Sequence, residues 1–162
     1  MKKMKKGFTL IELLVVIAII GILATTLAPK LREQLAKAKD SKAVAVLGAA
    51  RTAGSVALVD AMVTSTGSTI SLTFKNITDK LDTKTNELID GTAGTIPVGA
   101  TRNSSDAITY GGTVGLTDTT SGGSILKGTG AVTVSSDDLG LYLIPSTSTQ
   151  VKSTEGKTWL SY

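Results

Sequence analysis

The chain is 162 residues long and carries 17 basic and 13 acidic side chains, a formal net charge of +4. It has no cysteine and no histidine, which excludes disulfides and thiolate metal sites and removes the usual general base and the commonest transition-metal ligand. The length suits one small domain plus an anchor.

Lys2, Lys3, Lys5 and Lys6 crowd ahead of Gly7 and supply the whole net charge; the remaining 13 basic residues balance the 13 acidic ones. The basic pI therefore does not argue for nucleic acid, which stays a possible but unsupported partner. An apolar run follows from Phe8 to Ala28. At ~1.5 Å per residue it makes roughly 31 Å of helix, enough to cross a bilayer core. Glu12 lies inside this run, and an acid there is a functional candidate by default. A secretory signal would be cut after its apolar core. Thr26-Leu27-Ala28 has the right sizes for such a site, but Pro29 follows directly. Lysines flank the run on both sides, so the positive-inside rule leaves orientation open.

The stretch Gly7-Phe8-Thr9-Leu10-Ile11-Glu12, continued by Leu13-Leu14-Val15-Val16 to Gly21 and Pro29, resembles the type III signal of type IV pilins and pseudopilins. The resemblance implies that a prepilin peptidase cuts between Gly7 and Phe8 on the cytoplasmic side. Phe8 is then N-methylated. Glu12 of one subunit is expected to neutralise the Phe8 amine of a neighbour and so set the register of assembly. Gly21 and Pro29 are expected to bracket a segment that loses helical order in the filament. The implied partners are the prepilin peptidase, an assembly ATPase with its platform protein, the inner membrane before assembly, and many copies of the chain in a homopolymer.

From Pro29 to Met62 the sequence keeps a helical period. Leu31, Leu35, Ala38, Ala45, Val46, Ala49, Ala53 and Val56 fall on one face, and Lys30, Arg32, Glu33, Lys37, Asp40 and Arg51 lie elsewhere. Lys42 falls on the apolar face, where its stem can lie flat while the ammonium reaches water. Gly48 and Gly54 weaken the helix and allow another backbone to approach. The basic residues of this segment read best as a solvated face, because the aromatics needed for base stacking are absent.

After Met62 the chain turns rich in Thr, Ser and Gly. Val63 to Ser68 reads as a loop, and Ile70 to Phe74 as a short strand. Ile77, Leu81, Leu88 and Ile89 mark a broken helix or an ordered loop. Gly91, Gly94 and Pro97 read as turns. Ile108-Thr-Tyr110, Gly111-Gly112, and Val114 with Leu116 suggest a hairpin, and Ser121 to Ser124 another turn. Ala131 to Val134, Leu139 to Ile144 and Lys157 to Ser161 are further strand candidates, with Asp137-Asp138 turning the chain before the second. Such strands favour an antiparallel sheet packed on the amphipathic helix.

No catalytic, cofactor-binding or metal-binding constellation stands out. Lys127-Gly-Thr-Gly130 lacks phosphate-loop spacing. Asp106, Asp118, Asp137 and Asp138 are spaced irregularly for Ca²⁺ and read as surface turns. Asn76-Ile-Thr78 and Asn103-Ser-Ser105 match glycosylation spacing by chance. Tyr110, Tyr142, Trp159 and Tyr162 read first as core. Trp159 does not stand in the aspartate-proline-tryptophan-glycine pattern of the calcium-binding major pseudopilins. Many pilins close a C-terminal loop with a disulfide, and a chain without cysteine must hold that loop some other way.

The expected fold is α+β: a long N-terminal helix on an antiparallel β-sheet head. The division is 1–7 leader, 8–28 membrane and filament-core helix, 29–62 amphipathic helix and 63–162 head. The expected function is a structural, non-enzymatic pilus subunit serving adhesion or motility. A minor pilin or pseudopilin of a secretion or DNA-uptake system, and an anchored binding module that never polymerises, remain alternatives.

Overall fold

The computed structural model describes residues 7–64, 70–118, 124–128, 131–134, 140–147 and 151–162. The chain divides into two compact units, Met1–Leu35 and Ala36–Tyr162. The fold is α+β, a long helix followed by short antiparallel strands.

Helix α1 (Leu10–Thr64) is unbroken and contains Pro29. It is the one helix among the described residues long and apolar enough to cross a membrane. It continues past the expected loop start at Val63; residues 65–68 of that loop lie outside the described residues. Every residue from Phe8 to Arg32 is exposed.

The second unit buries a different face of α1 from the one expected. Ala36, Asp40, Ala43, Leu47, Ala50, Gly54 and Ala57 are buried, alternating steps of four and three residues, together with Val46, Ala53 and Leu58. Of the expected face only Val46 and Ala53 are buried and Ala49 is half-buried; Leu31, Leu35, Ala38, Ala45 and Val56 are exposed. The helix is alanine-rich on every side, so side-chain bulk is a poor guide to its buried face. Small residues instead let the head approach closely, and the bulk comes from the other side: Phe74, Ile77, Ile96, Leu116, Leu141, Leu143 and Trp159 are in the same core cluster. Gly54 lies in that buried face. Gly48 does not serve the close approach expected of it, since a Cβ there would meet nothing within 4 Å. Asp40 and Arg51 also turn inward. Arg51 Nε donates to the Leu141 carbonyl at 2.9 Å, and its guanidinium lies 5.8 Å from the centre of the Tyr142 ring.

The head carries β1 (Ile70–Thr73), α2 (Phe74–Thr78), α3 (Thr83–Asn86), β2 (Thr95–Pro97), β3 (Ala100–Arg102), β4 (Ile108–Tyr110), β5 (Thr113–Thr117), β6 (Ala131–Val134), β7 (Tyr142–Pro145) and β8 (Lys152–Ser153). Three small sheets result, ordered β1-β6, β2-β5-β7 and β4-β3-β8, and all their pairings are antiparallel. The broken helix is two short ones. α2 is capped by Thr73, whose N–H donates to Asn76 Oδ1 at 2.8 Å; α3 is capped by Asp82, whose Oδ1 accepts the Thr85 N–H at 3.0 Å. Pro97 ends strand β2 instead of turning the chain.

The expected hairpin through Gly111-Gly112 is corrected. β4 and β5 do not pair with each other; β4 pairs with β3, and β5 with β2 and β7. The register is continuous: Thr95 faces Gly115, Pro97 faces Thr113, Ala100 faces Tyr110 and Arg102 faces Ile108. The Val98 N–H donates to the Gly112 carbonyl at 3.1 Å and the Gly111 N–H to the Gly99 carbonyl at 2.7 Å. Residues 95–102 and 108–117 thus form one long hairpin. Gly111 and Gly112, at φ +84° and +115°, bend it from one sheet into the next, a conformation side chains resist. The tip is Asn103 to Ala107. Asn103 Oδ1 accepts the Ser105 and Ala107 N–H groups at 3.0 and 2.9 Å, and Asp106 sits at φ +60°. A Gly-Gly pair read as a turn is here a bend within a strand.

The tip is tied to β8 by Lys152 Nζ, 2.9 Å from Asp106 Oδ1. That hydrogen bond, and then the Lys152 charge, hold the Asp106 carboxyl below its ordinary value of 3.8. A lowered folded-state pKa contributes stability above the ordinary value and loses it as pH falls below that value. Lys152→Met should therefore shift the urea midpoint slightly at neutral pH and by less at a pH below the carboxyl's ordinary value, where the unfolded-state carboxyl is protonated and the folded-state one begins to be. An equal shift at both pH values would refute the pair's contribution.

The expected last strand, Lys157 to Ser161, is mostly a 3₁₀ turn, Trp159–Ser161. Thr158 bridges to Lys152, and the Trp159 N–H donates to the Val151 carbonyl at 3.3 Å before the chain curls. The turn places the Trp159 indole in the core, fully buried and 5.8 Å from the Tyr162 ring centre. Tyr110 is exposed. The expected turns at Ser121 to Gly123 and Asp137-Asp138, and Gly130 of the Lys127 motif, lie outside the described residues.

Candidate processing and assembly site

Gly7, Phe8 and Thr9 are exposed and non-helical, so the Gly7–Phe8 peptide bond lies in irregular backbone ahead of α1. Phe8 is 81% exposed. Thr9 caps the helix. Its N–H donates to Glu12 Oε2 at 2.9 Å, its hydroxyl donates to the same oxygen at 2.8 Å, and the Glu12 N–H returns a bond to Thr9 Oγ1 at 3.3 Å. This is a reciprocal capping box: the cap satisfies amides that the helix start leaves without partners, and a carboxylate there suits the positive end of the helix dipole. Glu12 has no ion-pair partner among the described residues, and its bonds there are the local ones to Thr9.

The sequence reading missed Thr9. The signal was present, since Thr9-Leu10-Ile11-Glu12 is the capping-box spacing before an apolar run. The acid drew attention as an awkward charge in an apolar helix; its first structural role is to start that helix.

Gly21 and Pro29 lie within continuous helix. A Cβ on Gly21 would meet nothing within 4 Å, so no contact in the chain requires glycine there. Pro29 has no N–H, which removes the helical donor to the Thr25 carbonyl. Thr25 and Thr26 hydroxyls bond back to the Ile22 and Leu23 carbonyls at 2.8 and 2.9 Å. Such back-bonding slightly weakens and bends helices. The stretch between Gly21 and Pro29 thus collects several weakening features and no tertiary support.

Among the described residues no group of three or more acidic side chains is placed to hold a metal ion. Asn76 and Asn103, read as chance glycosylation matches, serve as a helix cap and a turn acceptor.

Comparison with known proteins places the same N-terminal stretch. The family profile described as the prokaryotic N-terminal methylation motif matches residues 2–28. The type IV major fimbrial protein FimA of Dichelobacter nodosus is 45% identical over 60 residues, 37% of this chain and 38% of the relative. A fimbrial protein of Pseudomonas aeruginosa is 43% identical over 58 residues, 36% of this chain and 38% of the relative. Fimbrial protein EcpB of Eikenella corrodens is 51% identical over 49 residues, 30% of this chain and 31% of the relative. The chain therefore matches well under half the length of these relatives. No solved structure matches. The chain thus carries the prokaryotic N-terminal methylation motif over residues 2–28 and is similar to type IV fimbrial proteins over its N-terminal third.

Proposed function

We propose that the chain is a structural subunit of a type IV pilus or a closely related filament. The observation that carries this reading is an apolar helix segment, exposed on every side, whose first turn holds a capped acid inside a methylation motif. In a membrane that segment is covered by lipid. In a filament outside the cell it must be covered by other subunits, because so much exposed apolar surface is not tolerated in water.

The proposed sequence of events starts from a precursor in the inner membrane with residues 1–7 on the cytoplasmic side. A prepilin peptidase cuts before Phe8, and Phe8 is N-methylated. Residues 8–28 then pass from lipid to the filament core, driven by an assembly ATPase through its platform protein. Residues 29–62 carry the helix into the head, and residues 63–162 face solvent and select surfaces or partners for adhesion or motility. Glu12 pairs with the Phe8 amine of a neighbour.

Intact mass of protein sheared from cells tests the processing. The expected mass is that of residues 8–162 plus one methyl group. A mass retaining residues 1–7 would favour an anchored module that never polymerises. Abundance in the sheared fraction separates a major subunit, which should dominate it, from a minor pilin or pseudopilin.

A further inference from the structure

The stripe of α1 that the head covers repeats every seven residues. Ala36, Ala43, Ala50 and Ala57 are all buried, and so are the pairs Val46 with Ala53 and Leu47 with Gly54. Seven residues are close to two whole turns, so a slide of that length moves a helix by ~10.5 Å and turns it by only ~20°. Alanine then replaces alanine along most of the stripe. Setting Gly54 in the place of Leu47 would lose packing, but apolar contact is non-directional and a core can partly close around the gap.

Asp40 breaks the repeat. It is 5% exposed and is the one charged side chain among the described buried residues. Burial of a carboxylate is costly unless its oxygens are bonded, and both are. Oδ1 accepts the Gly99 N–H at 2.9 Å, and Oδ2 accepts the Thr154 N–H at 2.8 Å. The two amides come from separate loops, the bend of the long hairpin and the turn after β8. The second loop is itself held, because the Thr154 carbonyl accepts Arg102 Nε at 2.9 Å. Further along α1 stands a tie of opposite polarity, the bond from Arg51 Nε to the Leu141 carbonyl. A seven-residue slide in one direction would bring Leu47 to the two amides and Leu58 to the carbonyl. In the other direction Glu33 would come to the amides, but Asp40 itself would enter the apolar place of Leu47.

We propose that Asp40 sets the axial register of the head on α1. Small side chains let the head come close; the carboxylate selects the one position along the stripe at which both amides are satisfied. In a shifted register each of those buried N–H groups would lose its acceptor and keep its desolvation cost. This is the registry use of a buried polar group, in which a directional bond specifies a packing that apolar contact leaves nearly degenerate. Register fixes where the head sits along the helix that assembles. That consequence rests on the polymerising subunit proposed above; the register itself does not.

Distances between spin labels test the register without requiring assembly. The chain has no cysteine, so labels can be placed on introduced ones. Thr52→Cys puts a label on α1, and Thr92→Cys or Ser104→Cys puts the second on the head, all at exposed positions. The two head sites together keep a slide from going unseen along one vector. Pulsed electron paramagnetic resonance on the full chain in detergent micelles should give one narrow distance for each pair. Asp40→Leu should add a second population in at least one pair, displaced by up to ~10 Å. Leu47→Ala should lower the urea midpoint through lost packing and still give one distance, which separates register from stability. Trp159 emission reports whether the head is folded. If Asp40→Leu unfolds it, Asp40→Asn takes its place: it keeps one acceptor, sets an amide N–H₂ against the second donor, and should show the same second population. A single parent distance in a folded Asp40 variant overturns the proposal. So does a second population in Leu47→Ala, which would assign register to packing, or a head unfolded by Asp40→Asn as well, which would make Asp40 a requirement for folding.

Discussion

Replacing Glu12 with valine should leave the Gly7–Phe8 bond cut and the surface filament missing. Cleavage should survive because the scissile bond lies in exposed, irregular backbone ahead of the helix, and valine suits an apolar run. Assembly should fail because the new Phe8 amine would enter an apolar core without its partner, and an unpaired buried charge is strongly unfavourable. Sheared filament protein should drop by about tenfold or more while processed subunit accumulates in the membrane. Valine also removes the carboxylate half of the capping box, although the backbone N–H at position 12 can still bond to Thr9 Oγ1, so a second variant separates the two roles. Glu12→Gln keeps an oxygen for the Thr9 N–H, now 2.9 Å from Oε2, but carries no charge. If charge pairing sets the register, Glu12→Gln should assemble as poorly as Glu12→Val. If the cap is what matters, it should assemble like the parent. Normal filaments from both variants would remove Glu12 from the assembly mechanism.

The second large effect is expected in the head. Trp159→Ala should destabilise it by about 3–5 kcal/mol, the usual cost of deleting a large buried aromatic. Against a typical total of about 5–15 kcal/mol, that is enough to leave the head partly unfolded. The indole is fully buried in the common core and sits beside Tyr162. Its Nε1 has no hydrogen-bond partner among the described residues. Trp159→Phe should therefore be much milder than Trp159→Ala, since it keeps most of the packing and removes a donor with no partner among the described residues. Urea unfolding of the full chain in micelles, followed by circular dichroism, measures both. Equal losses in the two variants would mean that the indole N–H has a partner after all, and a loss under ~1 kcal/mol for Trp159→Ala would mean that the indole is not a core anchor.

The two sites differ in how they could be read. Gly7, Phe8 and Glu12 were singled out by a local pattern, a lysine cluster, a small residue, an apolar run of membrane length and one acid, and by its resemblance to the pilin signal; their roles in processing and assembly are proposals. Thr9 was equally legible by spacing and was passed over. Asp40 could not be found in this way. It stood among exposed charges on a helix whose alanines make every face plausible, and its two partners are 59 and 114 residues away. Nothing local to Asp40 marks it as the residue that ties two loops.

The same division holds across the fold. By itself the sequence determined the long helix, its membrane-length first half, the processing motif and the existence of short strands, because helical period, apolar length and strand alternation are local properties. Only the tertiary structure decided which face of α1 is buried, that Gly111-Gly112 bends a hairpin instead of closing one, and that the C-terminal segment curls to bury Trp159. Those choices depend on which distant backbone can come close, and small side chains on α1 together with Gly99 settle it. The chain needs no disulfide in the described head, where a buried carboxylate, a guanidinium and one indole hold the C-terminal segment in place.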